Sequence, residues 1–332
     1  MTVLDSGVGA DGASTGGRRV RSLNVKRLLW RYGLWGGLVA LVAILCIVSA
    51  PFRSTTNLTN ILQQNAIIGI VACGMLVIMI TGGFDLSVGS IGAAASVAAA
   101  YLTTHSSLLV AILVALGVGL GIGLANGLLV TKARINPFIT TFAMASIVSG
   151  VLLVRTNAGP ETGNPGFLGG VAFNRVAGIP EAFIVFIVFA VITQILLAKT
   201  KWGHYLYGLG DNAEASYLSG VPVQPARIAA YVFGGLAAGV AALLLLGQTS
   251  SGEPTAAASW PLDAIAICVI GGTSLSGGIG RVSDVVVATL LLGVVADGLN
   301  ELGVSAYWQP AVVGIVILLA VAFDQFGRKR RT

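Results

Sequence analysis

The chain has 332 residues, of which 55% are hydrophobic and only 10% charged, with 45 glycines. A water-soluble domain of this length would carry about a quarter charged residues, so the composition excludes one and leaves an all-α, polytopic membrane protein. The formal net charge of +6 would suit a nucleic-acid partner only if the charges gathered for one, and their placement assigns them elsewhere.

Residues 1–17 are rich in Gly, Ser, Thr and Asp and read as a solvated, disordered tail. Arg18, Arg19, Arg21, Lys26, Arg27 and Arg31 follow. A twin-Arg export signal and a nucleic-acid tail are the alternatives to a cytoplasmic flank, and the continuous apolar run 33–50 favours the flank. The run starts too late and lacks the cleavage pattern of a signal peptide. The expected division is a basic tail over 1–32, a transmembrane domain over 33–326 and a short basic tail over 327–332.

After Pro51, apolar runs and their breakers predict further spans near 61–80, 88–104, 107–130, 136–156, 181–198, 228–248, 261–275, 284–303 and 306–326. That makes ten at about 20 residues each, with both termini on one side. With the N-terminus inside, the cytoplasmic face holds all Lys and Arg except Arg53, Arg155 and Arg175. The opposite face carries Glu161, Glu181, Glu253 and Glu301. The basic excess therefore encodes orientation and attraction to anionic lipid, not nucleic-acid binding.

Cys46, Cys73 and Cys268 lie in apolar runs without CxxC spacing, and His105 and His204 are isolated. No metal site and no nucleophile–base set is expected.

The segment Thr81-Gly82-Gly83-Phe84-Asp85-Leu86-Ser87-Val88-Gly89-Ser90 interrupts two apolar runs. Irregular backbone at membrane depth must be buried in protein or line a wet cavity, and a carboxylate there is a functional candidate. Asp85 has two readings: a cap for the helix starting near Ser87, or a group at the inner mouth of a pathway. The pattern recurs without gaps as Gly271-Gly272-x-x-Leu275-Ser276-x-Gly278. We read the two as related interrupted segments, a pointer to a transport pathway, against chance in a Gly-rich chain. The second copy has Ser274 where the first has Asp85, so the shared motif does not need the acid, and Asp85 reads as a cap or gate element.

Polar side chains in the spans are few. Gln64, Asn65, Asn136, Thr140 and Thr141 are the candidate pathway residues, suited to a polar uncharged solute. Two loops are long. Residues 157–180, on the outer side, are rich in Gly, Pro and Asn. Residues 199–227, on the inner side, contain Gly208, Gly210, Asp211, Asn212, Glu214, Ala215 and Gly220. Asp211 or Asn212 is the predicted N-cap, Ala213 to Leu218 a short helix and Gly220 its C-cap. Such an exposed helix reads as a docking element, with an ordinary amphipathic connector as the alternative.

TGGFDLSVGS (81–90), INPFITTFAMASIVSG (135–150), YGLGDNAEASYLSGVPV (207–223) and IGGTSLSGGIG (270–280) together resemble the permease subunits of bacterial sugar-importing ABC transporters of the ribose/xylose/galactose group. The resemblance covers nearly the whole chain beyond residue 30. It implies a homodimer in the inner membrane, a periplasmic or lipid-anchored solute-binding protein, and a separate ATP-binding subunit that carries ATP and Mg and grips the inner loop. It also places Asn212, Glu214, Ala215 and Gly220 in the coupling segment. The loop departs from the usual pattern at Gly208, Asp211 and Ser216. The chain lacks a G-x-x-x-x-G-K-[ST] motif and a chain of intramembrane carboxylates, so no cofactor is expected on it and the driving energy comes from outside. The expected function is a non-enzymatic permease for a monosaccharide or related polar solute. The same fold importing an autoinducer, nucleoside or amino acid, and a stand-alone secondary carrier, are the rivals.

Overall fold

Most apolar runs become helices where the breakers predict them. The computed structural model describes residues 25–308 and a few positions between 311 and 318. The expected disordered tail, the C-terminal basic tail and most of the span expected at 306–326 lie outside the described residues. Contacts divide the chain after Gly33, and a single compact unit starts at Leu34.

The long helices are α1 (Val25–Val48), α2 (Thr55–Ile80), α3 (Val88–His105), α4 (Leu108–Thr131) and α5 (Pro137–Thr156). After a short α6 (Phe167–Phe173) come α7 (Glu181–Lys199), α8 (Lys201–Asp211), α9 (Ala213–Leu218) and α10 (Val223–Thr249). The last are α11 (Trp260–Ile270) and α12 (Val282–Glu301). Strands are confined to loops and two residues long: β1 (Glu161–Thr162) pairs with β4 (Ser251–Gly252), and β2 (Arg175–Val176) with β3 (Ile179–Pro180).

Among the described residues, α2, α4, α5, α7, α10 and α12 are long and apolar enough to cross a membrane. The span expected at 261–275 is corrected. Its helix, α11, covers only Trp260–Ile270, roughly 16 Å at 1.5 Å per residue, about half of a ~30 Å hydrocarbon core. Pro261 sits in its first turn and Gly272, at φ +75°, ends it, because a left-handed residue reverses the chain and favours glycine.

The centre of the unit is α2, whose side chains from Ile70 to Ile80 are almost all buried, against α7, α10, α11 and α12. No hydrophobic force draws helices together in lipid, so close backbone approach and dispersion must do it. The α4–α10 pair shows how. Gly119, Gly123 and Gly127 form one stripe on α4, and a β-carbon at each would strike the α10 backbone at Gly235, Tyr231 and Ile228. Gly74 of α2 meets Gly234 and Ala237 of α10 in the same way.

Candidate functional site

At the end of the unit where the Lys132, Arg134, Lys199, Lys201, Arg227 and Arg281 loops lie, both Gly-rich segments begin as helix terminations of one kind. Gly82 (φ +77°) donates its N–H to the Met79 carbonyl, and Gly83 donates to Ile78. Gly272 (φ +75°) donates to Val269, and Thr273 to Cys268. The paired bonds satisfy the last helical carbonyls around a left-handed glycine. Gly82 thus matches Gly272, whereas the gapless sequence echo pairs it with Gly271. The register returns one step later. Asp85 Oδ1 accepts the Ser87 N–H at 2.8 Å, and Ser274 Oγ accepts the Ser276 N–H at 3.2 Å. The echo's Asp-to-Ser exchange keeps the same side-chain-to-backbone turn.

Asp85 is fully buried. Its Oδ1 also accepts the Ser87 hydroxyl at 2.6 Å, and Asn126 of α4 donates its amide to Asp85 Oδ2 at 3.4 Å and to Ser87 Oγ at 2.7 Å. The capping position of α3 itself is Ser87, with no side-chain bond to the helix. Asp85 acts two residues upstream, fixing the approach to the helix. The flanking backbone is held from two sides: Leu86 donates its N–H to Thr141 Oγ1 at 3.0 Å, and the Tyr231 hydroxyl donates to the Phe84 carbonyl at 3.2 Å. Gly83 lies under the Tyr231 hydroxyl, and Gly89 lies against the Ala257 carbonyl.

The inner segment carries the predicted short helix, but it is preceded by a helix that was not expected, α8, and α10 begins at Val223 rather than near 228. Asn212 is the N-cap, its Oδ1 accepting the Ala215 N–H at 2.9 Å, and α9 runs over Ala213–Leu218. Gly220, at φ +81°, donates to Tyr217, and Val221 donates to Ser216. Glu214, Ala215, Tyr217 and Leu218 are exposed, the last two at 71% and 79%. Asp211 is the last residue of α8 rather than the cap, and Gly208 faces the Ser216 hydroxyl.

The end of α8 then meets both Gly-rich segments. The Gly278 N–H donates to the Ile80 carbonyl at 2.9 Å, joining the second segment to the end of α2. Gly210 lies on this joint, where a β-carbon would overlap the Ile80 carbonyl and the Gly278 nitrogen. A β-carbon on Gly277 would stand 2.8 Å from the Gly82 nitrogen and 2.9 Å from Gly210 Cα. Ser276 lies beside Gly82, and Gly271 packs on the α12 backbone at Asp284 and Val285. Tyr207 adds a clamp, donating its hydroxyl to the Gly280 carbonyl at 2.8 Å. Burial pushes that phenol above its ordinary value, with Arg281 opposing, so it stays a donor at neutral pH.

The candidate pathway residues do not converge. Gln64 is exposed; the half-buried Asn65 donates to the Ile61 carbonyl and packs on Gly293 of α12. Asn136 caps α5, accepting the Phe138 N–H at 2.9 Å. Thr141 braces Leu86, while Thr140 is buried with its hydroxyl unbonded. At the other end of the unit, the 157–180 and 249–260 loops are joined. Thr162 pairs with Ser251, Glu161 with Gly252, and Gly163 donates to the Ser250 carbonyl.

Residues 57–321 match the family described as "Branched-chain amino acid transport system / permease component". The chain belongs to this permease family. It is 41% identical to the ribose import permease protein RbsC of Bacillus subtilis over 301 residues, 90% of this chain and 94% of that one. The Escherichia coli K12 ribose import permease protein RbsC is 40% identical over 292 residues, covering 86% and 91%. The L-arabinose transport system permease protein AraH of the same strain is 34% identical over 312 residues, covering 93% and 95%. No solved structure matches the chain.

Within this permease, Asn126, Tyr207, Tyr231 and Gly277 were not among the sequence-predicted site residues. Asn126 was visible as a polar side chain inside an apolar run. Tyr207 and Gly277 lie inside the motifs that carry the resemblance, but their contacts, like that of Tyr231, could not be read because the partners lie tens of residues or more away in the chain.

Proposed function

We propose that the chain is the permease subunit of an ABC importer that moves a monosaccharide across the inner membrane, powered by a separate ATP-binding subunit. One observation carries this reading: an exposed, capped helix, α9, follows a helix whose end lies in backbone contact with both Gly-rich segments. A push on α8–α9 is transmitted there without an intervening side chain to absorb it. The ribose and arabinose named for the relatives support a sugar cargo; the family's description favours an amino acid as the second reading.

In this reading the permease has ten spans, with 306–326 as the last and the half-length α11 completed by irregular backbone, and both termini are cytoplasmic. Two copies pair around a central passage. A binding protein delivers solute near 157–180 and 249–260, and ATP and Mg stay on the partner subunit. Gly82, Gly83, Asp85, Ser87, Gly89, Gly271, Gly272, Ser276 and Gly278 build the gate; Gly208, Gly210, Asp211, Asn212, Glu214, Ala215 and Gly220 belong to the coupling element.

The test is a reconstituted transporter carrying Glu214→Ala and Gly220→Ala together. Uptake and transport-linked ATPase stimulation are expected to vanish while the binding protein still docks. Normal uptake would overturn the reading, and uptake without any ATP-binding subunit would establish the secondary carrier instead.

A further inference from the structure

At the basic end of the unit, a cavity of about 380 Å³ opens between the α4–α5 turn and the start of α10. It is lined by two arginines, Arg134 and Arg227, by the polar Thr131, Asn136 and Gln224, and by apolar residues, and among the described residues no acid lines it. Neither guanidinium has a hydrogen bond or ion pair among the described residues. The N-termini of two long helices, α5 and α10, border the cavity, and neither has an acid in its first turn. A helix N-terminus adds positive potential to that of the arginines. Asn136 spends its carbonyl oxygen on the Phe138 N–H, so its amide N–H groups remain as donors.

Arg134 is held at φ +57°, a left-handed conformation that disfavours a residue with a β-carbon. The sequence nevertheless places a guanidinium there instead of a glycine. Immediately beyond, Ile135, Phe138, Ile139 and Phe142 are exposed, Phe138, Ile139 and Phe142 at 56–61%. Two cations without an ion pair among the described residues, set over a cavity and adjoining an exposed apolar helix face, match a phosphate with acyl chains attached better than they match a soluble anion.

We propose that this cavity binds the phosphate of an anionic phospholipid, clamped between Arg134 and Arg227, with its chains along the outer face of α5. Guanidinium binds phosphate through paired, charge-assisted hydrogen bonds. Basic pockets between spans on the cytoplasmic side are suited to such headgroups. The leaflet rests on the cytoplasmic orientation of this end; the binding itself does not.

The test uses the full chain in neutral detergent, so that it is independent of orientation and of transport. Thermal unfolding and lipid retention by native mass spectrometry are measured with phosphatidylglycerol, with phosphatidylcholine and with inorganic phosphate alone. Phosphatidylglycerol is expected to raise the midpoint by several degrees and to be retained, with the other two inert. Arg134→Gln with Arg227→Gln is expected to weaken the effect roughly tenfold or more, the loss of one charge-assisted contact or more. Arg134→Lys with Arg227→Lys, which keeps the charge, guards against a folding defect and should retain part of the shift. An equal shift in the Gln pair overturns the proposal. So does an equal response to inorganic phosphate, which would make the site one for a soluble anion. Loss of ATP-binding-subunit capture in the Gln pair with lipid retention unchanged also overturns it, assigning the arginines to that interface.

Discussion

Asp85 shows how a conspicuous residue can be structural. Its carboxylate accepts from a backbone N–H, a hydroxyl and an amide, and the matching position in the second segment does the same turn with Ser274. The acceptor oxygen, not the charge, is therefore the shared requirement. Asp85→Ser and Asp85→Asn are expected to keep most stability and uptake. Asp85→Leu strands the Ser87 N–H and takes the acceptor from the Ser87 hydroxyl, at a cost of about 1–3 kcal/mol for each unsatisfied buried group. Thermal unfolding in detergent beside an uptake assay separates the outcomes. Equal loss of uptake in all three variants, with unfolding unchanged in Asn, would return Asp85 to the pathway. Gly210 makes the complementary case, because there the absence of a side chain is the requirement. Gly210→Ala forces α8 off the Ile80–Gly278 joint. It is expected to leave basal ATPase activity of the complex intact while cutting its stimulation by solute-loaded binding protein severalfold. Full stimulation would show that the joint does not carry the coupling.

At the scale of elements, what the sequence made legible was what local chemistry determines. The bounds of α9 agree with the reading of its caps, since an Asn side chain and a left-handed glycine act within a few residues of themselves. Asn212→Ala removes that cap, worth typically about 1 kcal/mol. It should speed hydrogen exchange across Ala213–Leu218 and weaken capture of the ATP-binding subunit, while Asn212→Asp restores both. Unchanged exchange would mean that α9 is held by packing alone. The half-length of α11 was open to reading, because Gly271-Gly272-Thr273-Ser274 closes its apolar run at Ile270 and Pro261 stands in its first turn. The one-residue slip between the echo and the matched glycines was hidden. Alignment counts positions, whereas the backbone counts hydrogen-bonded turns, and the two segments differ in length before the next helix begins. The meeting of Ile80, Gly210 and Gly278 was invisible in any window, since each is an unremarkable small or apolar residue in its own segment.

Across the whole molecule, the two loop systems have opposite characters. Lys132, Arg134, Lys199, Lys201, Arg227 and Arg281 accompany the two Gly-rich segments, α9 and the arginine-lined cavity, while the acidic Glu161 and Glu253 lie in or beside the small β1–β4 sheet. Lys and Arg near span ends set orientation during insertion, and acids contribute little. The asymmetry of charge is thus written in the sequence independently of packing, and α9 and the Gly-rich segments lie at its basic end. This yields a prediction that does not depend on cargo. Thr162→Cys and Ser219→Cys, introduced singly, should react with a membrane-impermeant maleimide from opposite faces: the first in intact spheroplasts, the second only in inverted vesicles. Ser219 is exposed beside α9, and Thr162 is exposed on β1, so both are reachable once the correct face is presented. The native Cys73 and Cys268 are buried, and the parent chain reports the background from Cys46. Labelling of both positions from one face would break the alternation of spans between residues 162 and 219 and, with it, the placement of α9 on the face opposite the 157–180 loop.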